Sequence, residues 1–90
     1  MQLTKHASIR SQQRAIPLLM IDLLIQFGVQ EKAGDGTTKY YFDGASRRKV
    51  LAYAGTIARV IEEHLNVYAV VDTTDSVVTV AHRTDRIKRH

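Results

Sequence analysis

The densest hydrophobic stretch of the chain runs from Ile16 to Ile25 and is interrupted only by Pro17 and Asp22. Ahead of it, Thr4 is suited to cap a first helix reaching about Arg14. Ala15-Ile16-Pro17 then breaks that helix, because proline disfavours helical geometry in the preceding residue and suits the first turn of a new helix. A second helix is therefore expected from about Pro17 to Phe27, with Gly28 as its left-handed C-terminal residue. Apolar side chains almost surround it, which predicts burial on most sides or a place in an oligomer interface. Two strand candidates follow, Val29–Lys32 and Thr38–Phe42. The turn-forming segment Ala33-Gly34-Asp35-Gly36-Thr37 separates them and predicts a β-hairpin. Asp43 can cap a third helix from about Ala45 to Leu65, with Val50, Tyr53/Ala54, Ile57, Ile61 and Leu65 as its apolar stripe. The β-branched runs Val67–Val71 and Val77–Ala81 flank Asp72-Thr73-Thr74-Asp75-Ser76 and predict a second hairpin. The element order is ααββαββ, a small α+β fold in which two antiparallel hairpins pack against helices.

Size makes this pattern one domain, 1–90, with a basic tail from about residue 84 expected to fray. A chain of 90 residues buries only about 60–65% of its unfolded surface, so dimerisation through the apolar helix 17–27 would be a natural supplement. The hydrophobic content of 44% excludes a disordered chain. The absence of cysteine excludes disulfides and thiolate metal sites. No apolar run reaches the roughly 20 residues of a membrane span, and the N-terminus lacks the pattern of a signal peptide. The expectation is a cytoplasmic protein without cofactors.

A net charge of +4 favours anionic partners. The cations cluster at Lys5/Arg10/Arg14, at Arg47/Arg48/Lys49 and in the tail Arg83/Arg86/Lys88/Arg89. In a helix, His6, Arg10 and Arg14 recur every four residues and share one side. That row is either a phosphate-handling surface or a solvated face paired with acids. Arg47-Arg48-Lys49 opposes the dipole of the helix it begins, and free backbone N–H groups there would suit a phosphate; the plainer reading is a solvated cluster with Asp43 as counterion. Tyr40, Tyr41, Tyr53 and Tyr68 offer base stacking or half-buried packing. His6, His64, His82 and His90 show no zinc-ligand spacing, and Gly34-Asp35-Gly36 is a turn without the signature of a phosphate loop.

The pattern His6-Ala7-x-x-Arg10-x-x-Gln13-Arg14-Ala15-Ile16, with a second helix ending at Gly28 and the segment Val77-Val78-Thr79-Val80-Ala81-His82-Arg83, resembles the bacterial family called domain of unknown function 4258. That family reads H-A-x-x-R-x-x-x-R-G-I near its start and ends in a hairpin with a T-V pair. Ala15 stands where the family has glycine, and the long helix 45–65 looks like an insertion between the hairpins. The family's layout is similar to ribonuclease toxins of the RelE and BrnT kind, an analogy at the level of fold. The resemblance implies a toxin-like protein that contacts RNA, with an antitoxin-like protein as a further partner.

A metal-independent ribonuclease needs a general base, an acid and a cation for the phosphate. His6 could be the base or acid, and Arg10 or Arg14 the cation. On the last strand, alternation places Thr79, Ala81 and Arg83 on one face and Val78, Val80 and His82 on the other. The candidate catalytic set is therefore His6, Arg10, Thr79 and Arg83. Arg14, Arg47, Arg48, Lys49, His82 and Arg86 are the candidate phosphate or nucleic-acid contacts. The competing readings are a structural role for the His6/Arg10 pair and a non-enzymatic protein-interaction or homodimerisation module.

Overall fold

The computed structural model describes residues 2–5, 7 and 16–83. His6, Arg10, Arg14, Ala15 and Arg86 lie outside them, as does most of the expected first helix. Its start is described. Thr4 Oγ1 accepts a hydrogen bond from the Ala7 N–H at 3.1 Å, and Lys5 and Ala7 are helical, so Thr4 caps this turn as expected. Just before it, Gln2–Leu3 forms a short strand, β1, parallel to the last strand, with Leu3 opposite Val77. Two residues are too few to carry a periodicity, which is why the sequence gives no sign of it.

Helix α1 spans Leu18–Phe27. Pro17 is extended at φ −62°, ψ 144°, so it stands one residue ahead of the helix rather than inside its first turn. Met20, Ile21, Leu23 and Leu24 face the core, while Leu18 and Leu19 are exposed at 60% and 50%. The helix is thus buried along one side, not on most sides.

Gly28 corrects the expectation of a left-handed cap, because its backbone is extended at φ −68°. Glycine is needed there for space. A Cβ on Gly28 would lie 2.5 Å from the Leu24 carbonyl oxygen and 2.9 Å from that of Tyr41. Both obstacles are backbone and cannot rotate away. Gly28→Ala is expected to destabilise the fold by about 1–3 kcal/mol through overpacking, which a urea melt would register as a lower midpoint. An unchanged midpoint would mean that the α1–β3 contact is looser than described.

The first hairpin is β2 (Val29–Gly34) and β3 (Thr37–Tyr41), one or two residues longer at its tip than expected. Helix α2 (Gly44–Ala54) follows, then a 3-10 turn (Gly55–Ile57) and the short α3 (Ala58–Glu62). The single helix 45–65 is therefore overturned. Gly55 takes φ 63°, ψ −123°, a conformation that side-chain-bearing residues avoid, and it ends α2. The chain restarts through the 3-10 turn before α3, so the expected stripe splits. Val50, Ile61 and Leu65 are buried, but Tyr53 and Ile57 are exposed.

Strands β4 (Val67–Val71) and β5 (Ser76–His82) complete the sheet, whose order is β1-β5-β4-β3-β2. All pairs but β1–β5 are antiparallel. The architecture is a small α+β fold. Burial along β4 alternates strictly, with Val67, Ala69 and Val71 inside. On β5, Val71 pairs with Val77 and Val70 with Thr79, so Val78 is the extra residue of a bulge. The bulge puts Val77 on the core face with Val80, where unbroken alternation would have put Val78. Phe42, Met20, Ile21, Leu24 and Val50 join these strand residues in one core on a single face of the sheet.

Candidate nucleic-acid interface

The other face of the sheet carries no described helix. Register defines it row by row. Glu31, Lys39, Val70 and Thr79 form one row across β2 to β5. Val29, Tyr41, Tyr68 and Ala81 form the next. Apart from Ala81, these residues are half-buried or exposed.

Tyr41 and Tyr68 are direct cross-strand partners, and cations lie against both rings. The Lys39 ammonium is 4.9 Å from the Tyr68 ring centre and 6.0 Å from that of Tyr41. The Arg83 guanidinium is 4.9 Å from the Tyr41 ring centre. Cations at this distance are attracted by the negative face of the ring.

Arg83 is fixed at both ends. Its backbone N–H donates to the Asn66 carbonyl at 2.8 Å. Its guanidinium reaches across β4 and donates to the Phe42 carbonyl at 3.1 Å. Asn66 Oδ1 in turn accepts a hydrogen bond from the Arg47 guanidinium. Lys39, Arg83 and Arg47 thus form a basic margin running from the open face to the start of α2, with Asn66 joining the two arginines.

The start of α2 is not an empty anion site. Asp43 Oδ1 accepts the Ser46 N–H at 2.8 Å and the Ser46 hydroxyl at 2.8 Å. The same hydroxyl accepts the Asp43 N–H. These bonds, the Ser46 N–H first, hold the Asp43 carboxyl below the usual carboxylate range. A carboxylate already takes the Ser46 N–H at this helix start, and Arg47 is the residue of the Arg47-Arg48-Lys49 trio linked through Asn66 to Arg83. Arg48 and Lys49 are exposed on the helix.

The remaining expected site residues divide. Thr79 lies in the row with Val70, while Arg83 follows the end of β5 and its guanidinium lies against the Tyr41 ring and the Phe42 carbonyl. His82 pairs with Val67 and so belongs to the core-side face, at its exposed end. His6 and Arg10, the other members of the expected catalytic set, lie outside the described residues. Among the described residues no group of side chains could hold a metal ion, and no helix is long and apolar enough to cross a membrane.

Two features of this surface lacked a clear signal in the sequence. Lys39 is a lone cation within a strand. The tyrosines are separated by element and register: Tyr53, on α2, lies on Phe27 with ring centres 5.0 Å apart, Tyr40 packs against the core, and Tyr41 and Tyr68 meet on the open face. No family model matches the chain, and neither a curated protein nor a solved structure matches it.

Proposed function

We propose that this chain binds RNA through the open face of its sheet, as a small module of the domain of unknown function 4258 type. The observation that carries the reading is the joint placement of Lys39, Tyr41, Tyr68 and Arg83 on a sheet face without a described helix. Ammonium and guanidinium groups position a phosphate backbone, and aromatic faces take bases. The face supplies binding and charge stabilisation; cleavage of the ribonuclease-toxin kind would draw on His6 and Arg10 in addition. A protein-interaction reading, with a homodimer or an antitoxin-like partner, is favoured by the exposed Leu18 and Leu19 of α1.

The two readings part on salt. Contacts from Lys39, Arg83 and Arg47 to three phosphates of a single strand predict a loss of affinity on the order of tenfold for a fourfold rise in salt. Fluorescence anisotropy with a labelled oligoribonucleotide measures this directly. Affinity that is flat with salt would remove the RNA reading and leave the apolar surface of α1 as the site to pursue.

A further inference from the structure

We infer that Tyr68 is a base-stacking position, so that the open face selects unpaired nucleotides over duplex; this rests on the RNA-binding reading and specifies its substrate class. Neighbouring strands lie about 4.8 Å apart, so the directly opposed Tyr41 and Tyr68 place two rings side by side. Each ring is covered by a cation, but the two covers are held differently. Arg83 is pinned by the Asn66 and Phe42 carbonyls and stays over Tyr41. Lys39 rests 4.9 Å from the Tyr68 ring centre on a flexible stem, and its ammonium can point elsewhere without breaking a backbone contact.

An incoming base therefore displaces Lys39 from Tyr68. Stacking of a base on an aromatic ring outweighs an exposed cation–π contact. The displaced ammonium remains anchored on β3 two residues before Tyr41, within reach of the phosphate of the same nucleotide. The guanidinium plane fixed over Tyr41 gives the adjacent nucleotide a second flat, cationic surface. A duplex gains only the charge contacts, because its bases are already stacked on one another. An acidic peptide gains the charge contacts and has no flat ring to lay on Tyr68. Glu31, opposite Lys39, borders the face with a negative charge and confines the strand to the Tyr68 side.

The test compares a short oligouridine, an RNA duplex with the same number of phosphates and an oligoglutamate of similar charge, all at low salt. Each is titrated against the full chain and against Tyr68→Leu and Tyr68→Phe. The expected result is a single-strand preference of about tenfold that Tyr68→Leu abolishes and Tyr68→Phe keeps, with duplex affinity unchanged in both variants. Thermal melts show whether Tyr68→Leu is folded; if it is not, loss of the preference in Tyr68→Thr, and its retention in Tyr68→Phe, carry the test. Equal affinity for duplex and single strand, unaffected at Tyr68, would overturn stacking and leave RNA binding standing. Binding of oligoglutamate as tight as oligouridine and equally sensitive to Tyr68 would overturn the nucleotide as the ligand. Self-association of the wild type that Tyr68→Leu relieves would assign the face to a second copy and overturn the proposal. Failure of both RNAs to bind would overturn the RNA-binding reading itself.

Discussion

Replacing Phe42 by alanine is expected to cost about 3–5 kcal/mol, the range for deleting a fully buried aromatic side chain. For a chain of this length total stability is on the order of 5–13 kcal/mol, so the substitution removes a large share of it and should lower the urea midpoint strongly. Phe42 is fully buried and, among the described residues, the largest side chain in that state. Its neighbours make the loss more than a matter of volume. Tyr41 on one side belongs to the open face, and Asp43 on the other caps α2. The Phe42 carbonyl itself holds Arg83. One residue thus ties the core, a helix start and the candidate site together. A urea melt followed by circular dichroism measures the effect, and Tyr53→Ala, at a ring that is 67% exposed, is the comparison. A Phe42→Ala midpoint close to that of Tyr53→Ala would mean that the core does not centre on Phe42.

The parts of the fold legible in the sequence are those where one local signal is strong. The β-branched run Val67–Val71 and the Asp43 cap lie where patterning places them, because burial on one side and a satisfied helix start are local properties. The parts that were not legible depend on geometry between elements. Gly28 reads as a left-handed cap from its position after a helix, yet its role comes from a carbonyl on β3 that no local pattern reveals. Gly55 sits inside a passable apolar stripe, and only its backbone conformation shows that the stripe cannot continue through one helix. The bulge at Val78 shifts the core positions of β5 by one residue without changing its composition. The same holds for the site. Alternation within β3 places Lys39 and Tyr41 on one side, but which side is free of described helices requires knowing where α1 and α2 pack. Arg83 was legible as a cation at a strand end; its attachment to the Phe42 carbonyl was not, because 41 residues separate the partners.

Removing both cations of the open face, as Lys39→Gln/Arg83→Gln, is expected to lower affinity for single-stranded RNA by about 100-fold at low salt. The slope of log affinity against log salt should flatten by about 1.4, the value for two lost phosphate contacts on a single strand. The control is Arg48→Gln/Lys49→Gln, which removes the same two charges from a net +4. Arg48 and Lys49 are exposed on α2, whose N-terminus is already satisfied by Asp43. If the chain attracted RNA through its overall charge alone, the two pairs would lose equally. If the open face is the site, the α2 pair loses only a few-fold. Arg83 also ties the end of β5 to the Phe42 carbonyl after β3, so melts of both double variants are needed to separate lost binding from lost fold. Arg83→Lys refines the point, since lysine keeps the charge but lacks the planar fork that reaches Phe42 and lies on Tyr41. An intermediate loss for Arg83→Lys, with the salt slope of the wild type, would place the guanidinium's contribution in geometry as well as in charge.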